Sequence, residues 1–252
     1  MIRETPRQTR RLRAAAFAAA TLVATALGAG AAQATQVFSD NFNSENGGVA
    51  ANPYTNFANW TVSAGVFTVV EGARCDGGSG GCIGLDGRGG GPVANEFNTT
   101  SSFSYGAGAV VTLSYAIAGS HADCDSCAND DEYEAGFLFG NIPTTVNNVT
   151  VDGQNDGSFN ETTGIDLFGT GSPIPRTDPW TNHTISFTAT DAGSVQIDLR
   201  SYSVDGIGPL LDNVSLDVTG GGVPEPASWA LMILGFAAAG AALRQRRSAV
   251  AA

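Results

Sequence analysis

Residues 109–118 read AVVTLSYAIA and form the longest clear strand pattern in the chain. β-Branched and aromatic side chains favour extended backbone, so this stretch predicts a strand. Residues 194–202 alternate apolar and polar side chains, with Val195, Ile197 and Leu199 on the side expected to be buried. Two such strands in one chain indicate a β-rich core.

The rest of the body, outward from these strands, also consists of short strand patterns separated by turns. Residues 59–62 and 65–70 predict a hairpin around Ser63, Ala64 and Gly65. Residues 141–179 predict short edge strands and surface loops. Further strands are predicted at residues 38–42, 82–87, 93–98, 133–140, 183–189 and 210–218. Because the body has no helical periodicity, we expect an all-β fold, a β-sandwich of the jelly-roll type.

The chain ends in a tail, residues 223–252, that differs from the body. Val223 precedes the sequence Pro224-Glu225-Pro226, which is followed at residues 227–243 by 17 residues without a charge. That length is at the lower limit for a transmembrane helix. A basic stop at residues 244–247 closes the span with the residues Arg244, Arg246 and Arg247. Because basic flanks stay in the cytoplasm, the preceding chain is expected outside the inner membrane.

The first residues agree with export. An arginine-rich start precedes an Ala/Leu/Val-rich run at residues 14–30, and Ala32-Gln33-Ala34 offers a cleavage site before Thr35. This pattern predicts a signal peptide at residues 1–34, handled by general secretion. The body is then a sandwich domain at residues 35–219, joined to the tail by a glycine linker at residues 220–222.

The charge of the exported body is strongly negative. Residues 35–222 contain no lysine and four arginines against 22 acidic residues, a net charge of −18. Such a surface repels nucleic acid, so a nucleic-acid partner is excluded. Carboxylates are also the ligands that divalent cations prefer, although solubility alone explains an acidic surface equally well.

The four cysteines predict disulfide bonds, because the body is expected outside the cytoplasm. Cys75 and Cys82 flank one loop, and Cys124 and Cys127 flank another. Local pairing within each loop is the simplest of three connectivities, and cross-pairing stays open.

The tail resembles a known sorting signal. Val223-Pro-Glu-Pro-Ala-Ser-Trp-Ala-Leu-Met, the small-residue span and the arginine end are similar to the PEP-CTERM sorting tail. The resemblance implies a bacterial exported protein that an exosortase-type sorting protease cleaves near the motif. It also implies a transient or permanent inner-membrane anchor, and then a cell-surface or extracellular-matrix destination in an organism that makes exopolysaccharide.

The body resembles surface proteins with the galactose-binding-like jelly roll. The motifs that carry this resemblance are SDNFNSENGG at residues 39–48, FANWTV at 57–62, LDG at 85–87, LSYAIAG at 113–119 and GIGPLLDNVSL at 206–216. The resemblance is weaker between residues 141 and 179. It implies a structural calcium ion where the first and last strands meet, with Asp40, Asn43 and Asp212 as ligands.

Binding of a polysaccharide would need exposed aromatic rings with polar neighbours. The predicted candidates are Tyr54, Tyr133, Trp180 and Tyr202, whereas Trp60 is predicted to be in the core.

Catalysis has little support in the sequence. The two histidines, His121 and His183, are isolated in the sequence, and no G-x-S-x-G or H-E-x-x-H motif occurs. We therefore expect no enzyme and a non-catalytic structural or matrix role. The alternative is a carbohydrate-binding module for exopolysaccharide, and a glycoside hydrolase is a distant third.

Overall fold

The computed structural model describes residues 33–87, 95–122, 130–140, 144–161, 165–167, 174–202, 206–221 and 232–237. Within them the first seven strands are β1 (Ala34–Asp40), β2 (Ala51–Tyr54), β3 (Trp60–Ala64), β4 (Phe67–Glu71), β5 (Gly81–Gly84), β6 (Asn95–Thr99) and β7 (Phe103–Tyr105). The next five are β8 (Val110–Ala118), β9 (Asp130–Asp131), β10 (Tyr133–Phe139), β11 (Thr144–Val151) and β12 (Gln154–Glu161). The last five are β13 (Ile165–Leu167), β14 (Ile174–Pro175), β15 (Thr181–Ala189), β16 (Gly193–Ser201) and β17 (Leu210–Thr219).

Helical structure in the described residues is confined to short pieces. Three single 3₁₀ turns lie at Glu45–Gly47, Gly72–Arg74 and Asp76–Gly78. Residues 232–237 form an exposed helical segment. No helix in the described part of the chain is both long and apolar enough to cross a membrane.

The strands form two main sheets in which every pairing is antiparallel. The large sheet runs in the order β12-β11-β15-β8-β17-β5-β4-β2, with β1 also paired to β17. The small sheet runs in the order β13-β10-β16-β6-β3, with β7 also paired to β16. β9 and β14 make a separate two-stranded pair. The two sheets share one apolar core, so the predicted all-β sandwich is confirmed.

The core is made by the inward side chains of both sheets. From the large sheet, Leu113 of β8 and Phe67 of β4 are fully buried. From the small sheet, Phe97 of β6 and Ile197 of β16 are fully buried. Trp60 is 3% exposed, which confirms its predicted place in the core. Strand alternation therefore decides which side chains are buried, as it does in any two-layer β fold.

The predicted hairpin at residues 59–70 is wrong. β3 and β4 are consecutive strands, but β3 pairs with β6 in the small sheet and β4 pairs with β2 and β5 in the large one. The chain passes from the small sheet to the large sheet at Gly65. The φ angle of Gly65 is 75°, a value that glycine adopts without steric cost. The first strand also differs from the prediction, because β1 covers Ala34–Asp40.

Candidate functional site

A polar face lies on the outer side of the small sheet. The strand register places Glu134 of β10, Arg200 of β16 and Glu96 of β6 side by side in one row. Asp198 lies two residues before Arg200 on the same side of β16, opposite Asn98 of β6. Successive side chains of a strand alternate between faces, so all five project away from the core side of β16. We call this set, together with Tyr202, the outer polar face.

Arg200 is the cation at the centre of the outer polar face. Its Nη2 lies 2.9 Å from Asp198 Oδ2 and 3.5 Å from Glu96 Oε1. Burial raises the pKa of Asp198 to about 6, although the charge of Arg200 opposes that rise. Asp198 Oδ1 and Arg200 Nε are buried and find no hydrogen-bond partner within the described ranges. Two polar atoms of this face therefore lack a partner within the described ranges, and both lie below the surface.

Tyr202 supplies an aromatic ring at the edge of this face. The residue is 41% exposed, and its hydroxyl donates to Glu134 Oε2 at 2.7 Å. Burial and the neighbouring carboxylate raise the pKa of Tyr202, so the phenol keeps its proton at neutral pH. An exposed ring beside carboxylate and guanidinium groups can stack on an apolar ligand face while the polar groups bond its hydroxyls. Of the four predicted aromatic candidates, Tyr202 best meets this requirement.

Tyr133, predicted to contact a ligand, is in the core instead. It is 1% exposed, and its hydroxyl lies 3.3 Å from the hydroxyl of Tyr115. The prediction is wrong because Tyr133 begins the inward series of β10, which continues through Ala135, Phe137 and Phe139. A ring with no exposed face cannot stack on a ligand.

Tyr54 and Trp180 are half-buried and lie apart from the outer polar face. The hydroxyl of Tyr54 donates to the carbonyl of Asn56 at 2.8 Å, and its ring packs edge-on against Phe57. The indole Nε1 of Trp180 donates to the carbonyl of Arg74 at 3.0 Å. Their roles as ligand contacts stay predictions.

The residues predicted to bind calcium have protein partners in this structure. Asp40 Oδ2 accepts from Trp60 Nε1 at 2.9 Å, and Asn43 Oδ1 accepts from the Gly81 amide at 2.6 Å. Asp212 Oδ1 accepts from the amide of Asn213 at 2.7 Å. In the described ranges, no group of three or more His, Cys, Asp or Glu side chains could hold a metal ion. The calcium site stays a prediction.

Local pairing of the first two cysteines is confirmed. Cys75 and Cys82 form a disulfide bond that closes the glycine-rich loop between β4 and β5. Cys124 and Cys127 lie outside the described residues, so their pairing stays a prediction.

The predicted sorting and processing residues also lie largely outside the described residues. These are Ala32, Val223, Pro224, Glu225, Pro226, Arg244, Arg246 and Arg247. Of the predicted signal-peptide cleavage site, Ala34 and Thr35 are described and lie in β1.

The structure also contains a polar contact that the sequence did not reveal. His183 was expected to be isolated, but its Nδ1 lies 2.8 Å from Asp152 Oδ2 and its Nε2 lies 2.9 Å from Thr181 Oγ1. Its ring stacks on Tyr115. Asp152 lies in the turn between β11 and β12, so the contact joins that turn to β15. No local sequence signal links residues 31 positions apart.

The tail places the chain among proteins that carry a C-terminal sorting signal. The signal is the PEP-CTERM protein-sorting motif, whose family profile matches residues 222–247. The predicted resemblance of the tail is thereby confirmed.

Comparison of the whole chain with known proteins adds similarities of fold only. No curated protein matches the sequence. The CBM22-1 xylan-binding domain of Xyn10C from Paenibacillus barcinonensis is 14% identical, with 76% of this chain and 97% of that chain covered and a TM-score of 0.40. An apo-form cyclase from Fischerella sp. is 13% identical, with 73% and 96% covered and a TM-score of 0.44. The K3 cleaved adhesin domain of Lys-gingipain from Porphyromonas gingivalis w83 is 13% identical, with 73% and 99% covered and a TM-score of 0.35. Similarities this remote carry no inference about function.

Proposed function

We propose that this chain is an exported protein sorted by an exosortase-type protease and that its sandwich domain is a non-catalytic component of the cell surface or extracellular matrix. The observation that carries the proposal is the PEP-CTERM motif at residues 222–247. In this proposal the N-terminal signal peptide directs export, and the C-terminal tail anchors the chain to the inner membrane before sorting. The strongly acidic, lysine-free body suits a hydrated matrix, since its high net charge keeps it soluble.

Mass spectrometry of the protein recovered from cells that contain an exosortase-type protease tests the sorting proposal. We expect a chain that begins at Thr35 and ends near the sequence Pro224-Glu225-Pro226. Replacing Glu225 with alanine should leave the C-terminal tail attached and the protein in the inner membrane. Gln245→Ala, which changes a neutral residue of the same tail, is the matched control and should be processed normally. A full-length chain with both ends intact and free thiols in the cytosol would contradict the proposal.

The second candidate function is binding of a polysaccharide at the outer polar face. Tyr202 favours it, because its exposed ring lies beside Glu134 and two residues after Arg200. A pyranose ring stacks its apolar face on such an aromatic ring, while its hydroxyls bond carboxylate and guanidinium groups. This function would make the domain a carbohydrate-binding module for exopolysaccharide.

Substitution of Tyr202 tests the second candidate on a glycan array and by titration of the full-length protein. We expect Tyr202→Ala to weaken glycan binding about 2–10-fold, the value of one aromatic contact. Tyr202→Phe keeps the ring and loses only the hydroxyl bond to Glu134, so it should retain most of the affinity. Equal binding by all three proteins would exclude this face as the glycan site. Hydrolysis of a glycan that stops when Glu134 or Asp198 is replaced would contradict the non-catalytic role.

A further inference from the structure

A pocket on the large sheet lies away from the outer polar face. Its volume is about 150 Å³, well below the ~300–1,000 Å³ of pockets that hold drug-sized ligands. Thr68 and Val70 of β4 and Leu210 of β17 line it from the sheet, and Arg74, Asp86 and Ser120 line it from the connecting loops. Val70 and Leu210 belong to a small apolar cluster separate from the main core. The pocket therefore opens on the outer side of this sheet and has room for one small ligand.

Ser120 places an unused hydroxyl group in the pocket. The residue is 2% exposed, and its Oγ finds no hydrogen-bond partner in the part of the chain that the structure describes. The backbone on both sides is fixed, because the Gly119 amide donates to the Asp178 carbonyl and the His121 amide to the Arg176 carbonyl. A Cβ atom at position 119 would lie 2.3 Å from the Pro175 carbonyl oxygen, so only glycine allows this approach. A buried hydroxyl without a partner is costly, which indicates that a ligand completes its bonding.

Arg74 places a positive charge at the same pocket. Its guanidinium makes no ion pair or hydrogen bond within the described ranges, although the body is strongly acidic. The main chain at Arg74 is held by the indole of Trp180, which donates to its carbonyl, and by the disulfide that begins at Cys75. A guanidinium group presents parallel N–H donors that match a carboxylate. The ligand is therefore expected to carry a carboxylate at this end.

Asp86 limits what the rest of the ligand can be. The residue is 3% exposed, and its carboxylate accepts from Asn95 Nδ2 at 2.6 Å and from the Gly206 amide at 2.9 Å. The negative charge of Asp86 repels an anionic group at this end of the pocket. Sulfate and phosphate, whose oxygens all share the negative charge, are therefore disfavoured as ligands.

We propose that this pocket binds a single sugar acid, a uronate whose carboxylate pairs with Arg74 and one of whose hydroxyl groups bonds Ser120. The apolar side chains of Val70 and Leu210 contact the carbon skeleton of the ring. This site is independent of the outer polar face and would select acidic units of a polysaccharide in spite of the acidic body.

Calorimetric titration of the full-length protein in a mild detergent tests the proposal, with D-glucuronate as the probe and D-glucose and inorganic sulfate as controls. We expect glucuronate to bind and to raise the melting temperature, and glucose and sulfate to bind at least about tenfold more weakly.

Arg74→Gln should weaken glucuronate binding by about tenfold or more, because it removes a charge-assisted hydrogen bond. The affinity of Arg74→Lys for glucuronate should lie between those of the unmodified protein and Arg74→Gln, because lysine keeps the charge and loses the paired donors. Ser120→Ala should weaken binding about 2–10-fold.

Arg74 is exposed, so its variants are expected to unfold at the same temperature as the unmodified protein without ligand, which separates a binding defect from misfolding. Glucose binding as tight as glucuronate would overturn the role of Arg74. Sulfate binding that depends equally on Arg74 would show a simple anion site, and no binding of glucuronate by the folded protein would overturn the proposal altogether. Since Tyr202 is on the other sheet, these results do not depend on the outer polar face.

Discussion

Replacing Phe97 with alanine is expected to lower the free energy of unfolding by about 3–5 kcal/mol, the usual cost of removing a buried phenyl ring. Phe97 is fully buried on β6 and contacts aromatic rings from both layers. Its ring centroid lies 4.6 Å from those of Trp60 and Phe67, and 5.5 Å from that of Phe57. Trp60 belongs to the small sheet and Phe67 to the large one, so the cavity would open where the sheets meet.

Phe103→Ala is the matched control, since it makes the same chemical change at a half-buried ring on β7 that packs on Phe38. Equilibrium unfolding in urea measures both variants, provided that the slopes with denaturant stay equal. We expect the control to lose clearly less stability than Phe97→Ala. If the two losses were equal, the aromatic cluster would not be what joins the sheets.

Alternation along single strands was readable from the sequence. The patterns at residues 109–118 and 194–202 became β8 and β16, both central in their sheets. Val195, Ile197 and Leu199 point inward as predicted. A period of two specifies which face of a strand is buried, and one buried face is enough to predict a two-layer fold.

Pairing between strands was not readable to the same extent. The patterns of β3 and β4 lie next to each other in the chain, yet the strands belong to different sheets. Alternation gives the buried side of each strand but does not say which partner it takes. Tyr133 shows a related limit, because it was predicted to be exposed but lies on the same inward face of β10 as Phe137.

The candidate sites depend on contacts between distant segments and were largely hidden in the sequence. Tyr202 was one of four aromatic candidates in the sequence, but its contact with Glu134 arises only through the pairing of β10 with β16. Arg74 and Ser120 meet at one pocket from separate loops, and no spacing rule links them. The sorting motif is different in kind, since a contiguous signal is read directly from its residues.

Lowering the pH from about 7.5 to about 5 is expected to stabilise the folded domain, because two buried carboxyl groups hold their protons more tightly than they would in the unfolded chain. Burial raises the pKa of Asp198 to about 6 and likewise raises the pKa of Asp212 to about 6, against an ordinary value of 3.8. Each pKa unit corresponds to about 1.4 kcal/mol, so ionisation of each group lowers the free energy of unfolding by about 2–3 kcal/mol. This loss of stability is absent below about pH 4, develops as the pH rises from about 4 to about 6, and is fully present above about pH 6.

The two carboxyl groups can be separated by mutation, because Asp198 lies on β16 of the small sheet and Asp212 on β17 of the large one. Asp212 precedes an irregularity in the pairing of β17 with β8, where Asn213 has a φ of 51°. The Asp212 residue is 4% exposed. Asp198→Asn and Asp212→Asn should each flatten the dependence of unfolding free energy on pH. The double variant should flatten it by the sum of the two effects, since distant sites act independently.

Asp217→Asn, on β17, controls for the loss of one negative charge from an acidic domain. Urea unfolding at pH values between about 4.5 and 8 gives the slopes. A wild-type protein that loses stability as the pH falls from 7.5 to 5 would show that these carboxyl groups are not the ones that govern its response, because a raised pKa can act only in the opposite direction.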